Sequence, residues 1–274
     1  MIDAAILLAK AAFYIGGLTA IGLGIHIAAG LSTPSPRKLR FAGVLLGLAL
    51  ILRLLTLNAE IMGDWYHALD FSIFAWAWPS VRAQTIAMSL GILCFIFAKG
   101  SALRVFAAIG ALVTAAGFGL AGHAQALEAS GLATIAVVIH VLIAGFWWFA
   151  PVSLWPRAGI DNSQLAWRMD RFSRLAIWAV PLMIVMGLWL SVQIAGSISS
   201  IFETTYGRLL QIKLSVATIA LTIGAFNKVY LTQTLRGGHI RARTMVRYAL
   251  FTDLLLFTVA VFAVAAATTL FGPH

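Results

Sequence analysis

The chain has 274 residues, 61% of them hydrophobic and only 10% charged, with a mean hydropathy of +0.96. A soluble domain carries roughly 25% charged residues, so a soluble enzyme, a disordered chain and a disulfide scaffold are excluded. Yet the net charge is +10, from 19 Lys and Arg against 9 Asp and Glu.

One bilayer span takes about 20 apolar residues. Apolar runs between polar breaks predict eight spans, at 4–31, 40–60, 82–98, 102–124, 132–154, 172–196, 207–230 and 247–270. The expected fold is an all-α integral membrane protein, a single bundle over residues 1–274 with no separate soluble domain. The first break, Ser-Thr-Pro-Ser-Pro, carries Arg37, Lys38 and Arg40, and the third carries Lys99 and Arg104. The fifth carries Arg157, Arg168, Arg171 and Arg174, and the seventh Lys228, Arg236, Arg241, Arg243 and Arg247. The even-numbered breaks carry Glu60, Asp64, Asp70, Glu128 and Glu203 instead. Basic loops stay on the cytoplasmic side. The odd loops are therefore expected inside, with both termini outside. The positive charge then reads as topology and contact with membrane lipids, not nucleic-acid binding.

The first span is expected to be retained, because Asp3 stands where a signal peptide has its positive charges. The longest outer loop, 61–81, holds Trp65, Tyr66, Phe71, Phe74, Trp76 and Trp78 and is expected to lie in the membrane interface. The single cysteine, Cys94, excludes an internal disulfide and a paired-cysteine metal site. Glycines such as Gly22, Gly117 and Gly119 favour close helix packing, and Pro181 is expected to kink the sixth span.

Ionisable residues inside a bilayer are costly, and each needs a partner or a function. At about 1.5 Å per residue, Lys10, Arg53, Glu60, His123, His140, Arg208 and Lys213 fall in the outer half, and His26 and Asp253 in the inner half. His123 and His140 lie on consecutive antiparallel spans, where two imidazoles could share a metal ion. Met183 and Met186, one turn apart in the sixth span, offer thioethers suited to a soft cation. In the outer loop Asp64, His67 and Asp70 are spaced by three, which on a helix lines them along one side. With Glu60 they would form an acidic rim that collects cations. Arg53 is expected to pair with Glu60 at i+7, Lys213 with Glu60 or Glu203, and His26 with Asp253.

The second half contains a series of short motifs. Gly122-His123-Ala124 is followed by His140-Val141-Leu142 and Phe146-Trp147, then by Arg171-Phe172-Ser173-Arg174-Leu175-Ala176. Next come Thr205-Tyr206-Gly207-Arg208-Leu209-Leu210 with Lys213, and Asn227-Lys228. In this order the motifs resemble the copper-resistance D (CopD) family of bacterial inner-membrane proteins, well over residues 120–230 and in general layout before that. Asp253 departs from the glutamate often found early in that family's last span. The resemblance implies a multi-pass inner-membrane protein that handles copper, moving it from periplasm to cytoplasm. A separate periplasmic copper-binding protein would then deliver the metal.

Copper transport is thus the expected function, with entry at Glu60, Asp64, His67 and Asp70, binding at His123 and His140 with Met183 and Met186, and exit past His26 and Asp253. No nucleophile triad or P-loop is present, and the chain is not expected to be an enzyme. Paired histidines on antiparallel spans also hold b-type haem. The alternative is therefore a haem-bearing redox protein with His123, His140 or His26 as axial ligands. A third reading is a membrane scaffold or assembly factor whose polar residues only join helices.

Overall fold

Turn and cap residues set the helix boundaries. Ser35 accepts a hydrogen bond from the Lys38 amide at 3.4 Å, and Pro36 opens the helix where its missing N–H costs nothing. That helix ends at Gly63, whose φ of 75° belongs to the left-handed region that glycine tolerates. Asp70 caps the next helix, accepting from the Ser72 amide at 2.8 Å.

The computed structural model describes residues 2–122, 125, 129–195, 230–237 and 241–270, with the single positions 199, 203, 208, 211, 215, 218, 219, 222 and 224. These form α1 (Ile2–Ala28), α2 (Pro36–Met62), α3 (Phe71–Phe97), α4 (Leu103–Gly119), α5 (Ser130–Trp148), α6 (Ala150–Ser153), α7 (Asn162–Ala195), α8 (Thr232–Arg236) and α9 (Ala242–Leu270). There is no strand among the described residues. Seven of these segments are long and apolar enough to cross a membrane. The expected seventh span, 207–230, lies mostly outside the described residues.

Two boundaries are corrected. The aromatic segment before residue 82 is not an interfacial loop: Asp70 starts α3 there, so Phe71, Phe74, Trp76 and Trp78 stand on the spanning helix itself. The arginines expected in the fifth loop, Arg168, Arg171 and Arg174, belong to the first turns of α7. Long basic side chains can reach an interface from a helix end, so they mark the same side from within a helix.

α1 is the hub, packed against α2, α4, α5 and α9, while α2, α3, α4 and α5 pack in succession and α7 lies on α5. Glycine makes the hub possible. A Cβ at Gly22 would fall 2.3 Å from the Gly145 carbonyl oxygen, so α1 and α5 cross backbone to backbone. Away from these contacts large apolar side chains stand bare; Phe41 is 71% exposed and Trp178 81%. Such surfaces suit hydrocarbon as the solvent.

The helices alternate between two ends. Lys10 Nζ reaches the Thr268 carbonyl at 2.8 Å, which puts the close of α9 beside the start of α1, at the end that carries Glu60. Arg171 Nε donates to the Ala29 carbonyl at 2.6 Å, and Arg243 donates to Ile160 and Arg157 carbonyls at 2.7 and 2.6 Å. Arg236 pairs with Asp170 at this same basic end. Cations there meet the free carbonyls of helix and loop ends.

Candidate functional site

At the acidic end, the last turns of α2 carry Glu60. Its Oε1 accepts from Lys10 Nζ at 2.6 Å, and its Oε2 stands 2.9 Å from Arg53 Nη1. Lys10 is only 5% exposed, so its charge requires this carboxylate. Glu60 is therefore not a free ligand for incoming metal; both its oxygens already face cations. Lys213, expected to pair with Glu60 or Glu203, lies outside the described residues. The triad lines a cavity of about 820 Å³ together with Asp3, Tyr14, Gln84 and Gln125.

The rest of the rim does not form one helical face. Residues 63–70 run through bends and turns, so the i+3 spacing does not align Asp64, His67 and Asp70. Asp64 Oδ1 instead bonds His67 Nδ1 at 2.8 Å and the His67 amide at 3.2 Å. The His67 side-chain bond holds the Asp64 carboxyl below the usual carboxylate range. Asp70 is held low by the Ser72 hydroxyl and amide. No cluster of three or more His, Cys, Asp or Glu suited to a metal occurs among the described residues.

In mid-bundle, His140 stands on α5 against α7, where a Cβ at Gly187 would lie 3.7 Å from its Nδ1. A methyl group there would be in ordinary contact with the imidazole, so the two helices pack closely at this level. Met186, the preceding residue, packs with Ala133, Ala136 and Leu190. Met183 packs into a different cluster, with Trp147, Met169 and Leu250. Each thioether side chain thus also packs against a cluster of its own. His123 lies outside the described residues, as do Tyr206 and Asn227.

At the basic end, His26 is fully buried. Its Nε2 donates to the Phe146 carbonyl at 2.8 Å. The rings of Phe146, Phe149 and Phe172 stand 5.1, 5.5 and 6.1 Å from the imidazole. This cage corrects one expectation. His26 does not pair with Asp253: its Nε2 is bonded to Phe146, and the rings of Phe146 on α5, Phe149 just beyond it and Phe172 on α7 surround it.

Phe172 stacks on Phe146 at 4.6 Å and also lines a second cavity, of about 390 Å³. That cavity runs between α5, α7 and α9 and contains Asp253, 5% exposed, whose Oδ1 has no hydrogen-bond partner among the described residues. Ser173, Ile177 and Pro181 line it from α7. The Arg171-Phe172-Ser173 run now resolves residue by residue. Arg171 closes the end of α1, Phe172 presses on His26, and Ser173 faces the cavity. Sequence reasoning singled out Asp253 and Pro181 separately; only the helix packing places both on the same cavity wall. The Lys10–Glu60 pair was missed because 50 residues separate its partners.

No curated protein and no solved structure shows a significant match to the chain. A family model does match: residues 166–267, most of α7 through most of α9, fit CopD, described as Copper resistance protein D. The resemblance read from the motifs is therefore supported over residues 166–230 and extends to 267, while the His123 and His140 motifs lie outside the match; the likeness is to a copper-resistance-related family of membrane proteins.

Proposed function

We propose that the chain is a non-enzymatic inner-membrane protein that moves copper ions from the outer side towards the cytoplasm. The observation that carries this reading is the copper-resistance match over α7 to α9, in a chain with seven described membrane-length helices. The basic loops and helix ends cluster at one end of the bundle and the acids Glu60, Asp64 and Asp70 at the other. By the positive-inside rule the basic end faces the cytoplasm, and both termini face out.

In this reading Asp64, His67 and Asp70 draw cations to the outer mouth, because Glu60 is neutralised by Lys10 and Arg53. His140, with His123 on the neighbouring span, supplies imidazole within the bundle. A separate periplasmic protein delivers the metal. An inside-negative potential contributes about 2.3 kcal/mol per charge per 100 mV, which favours cation entry without nucleotide hydrolysis.

The test is copper accumulation in cells expressing wild type, His140→Ala and His123→Ala at matched membrane levels. Wild type should raise accumulation several-fold over cells lacking the protein, and each variant should return it to background. No difference between wild type and empty cells would overturn transport. Full activity in both variants would overturn the histidine site.

A further inference from the structure

The cavity beside Asp253 holds an unexplained carboxylate. Asp253 is 5% exposed, and its Oδ1 makes no hydrogen bond among the described residues. An unpaired charge in a low-dielectric interior costs several kcal/mol. In a membrane bundle such a residue marks an ion or proton site by default. Two further features converge on it. Ser173 lines the same cavity, and its hydroxyl makes no hydrogen bond among the described residues. Pro181 has no amide hydrogen, so the Ile177 carbonyl, one turn earlier, lacks the donor an unbroken helix would supply. Ile177 and Pro181 both line this cavity. α7 stays helical through Pro181, and a carbonyl left without its helical donor keeps both lone pairs available for a small cation.

We infer that the cavity between α5, α7 and α9 is a binding site for a hard monovalent cation of the sodium class, held by the Asp253 carboxylate, the Ser173 hydroxyl and the Ile177 carbonyl. Charge decides the valence. Asp253 is the one ionisable group among the described lining residues, so one positive charge neutralises the site and a second would be left uncompensated. Donor type decides the hardness: three oxygens favour an alkali cation, against the single thioether of Met169 on the same wall. A volume of about 390 Å³ leaves space for the ion and several waters, each taking about 30 Å³. Such a site would give a transporter a sodium gradient to draw on. The inference does not depend on the cargo being copper.

The experiment measures the melting temperature of the purified full-length protein in detergent as NaCl replaces choline chloride at constant ionic strength. A ligand that binds only the folded state raises stability with concentration. Wild type should show a saturable rise in Tm with sodium. Asp253→Asn should melt as a folded protein and lose the sodium dependence entirely. Ser173→Ala should keep the dependence with an apparent affinity about tenfold weaker, as expected for loss of one ligand contact. If Asp253→Asn fails to fold, the Ser173→Ala shift decides alone. Equal melting of wild type in sodium and choline would overturn the proposal. So would retention of the sodium response in Asp253→Asn, or a response to Ag(I) but not to sodium. Copper accumulation is read separately, so either reading can fail while the other stands.

Discussion

Glu60 is the residue on which the acidic end turns. Lys10 is almost buried and Arg53 half-buried, and one carboxylate serves both. Glu60→Gln leaves two cations without a counter-charge, and removing one partner of a buried pair costs about 3 kcal/mol or more. The expected outcome is a clear fall in Tm in detergent. Adding Lys10→Met to Glu60→Gln should recover part of the loss, because the two residues interact directly. Asp64 offers a second check. Its carboxyl is held low by His67, so the loop contact is complete above the unfolded carboxyl value of about 3.9 and is lost as pH falls through the folded value below it. The His67 amide, which donates to Asp64 Oδ1 at 3.2 Å, should lose hydrogen-exchange protection over that interval, after correction for intrinsic rates. In Asp64→Asn the protection should not change with pH. At this scale the sequence was a partial guide. Arg53 and Glu60 sit on one helix at i+7, and a regular backbone makes such a pair legible. Lys10 and Glu60 belong to different helices, and nothing local in either segment signals the other.

The helices themselves were largely written in composition. Apolar runs placed five of the seven described spans to within a turn or so at most ends, because a membrane helix needs a minimum apolar length whatever it packs against. The starts of α3 and α7 departed most. In both, polar or aromatic residues that read as loop are absorbed into the first turns, behind an Asp70 cap in α3. Packing between helices was legible only as a tendency: glycines announced close contacts without saying where. Gly22 and Gly145 meet at the crossing of α1 and α5, while a Cβ at Gly131 would meet nothing within 4 Å. Gly22→Ala should therefore lower Tm sharply, since overpacking costs about 1–3 kcal/mol even where the backbone can shift. Gly131→Ala should leave Tm unchanged or slightly raised. Similar losses from both would refute the close crossing.

For the whole molecule, orientation is the testable quantity. In a Cys94→Ala background, Tyr66→Cys lies in the acidic-end loop, where Tyr66 is 96% exposed, and Thr33→Cys lies in the exposed first basic loop. A membrane-impermeant thiol reagent added to intact spheroplasts should modify the first, and the second only after permeabilisation. The opposite result would reverse the topology and the proposed direction of transport. The sequence by itself determined the class of fold, the alternation of charge between the two ends and the resemblance of the C-terminal part to a copper-resistance family. These follow from length, hydropathy and short motifs, which are local properties. Only the tertiary structure decided which buried polar groups share a space. It gave Glu60 to Lys10, enclosed His26 in aromatic rings, and brought Asp253 to one cavity with Ser173 and Pro181. The physical reason is that depth along a helix follows from residue count, whereas the partner at that depth depends on how the helix is rotated and which neighbour it packs against.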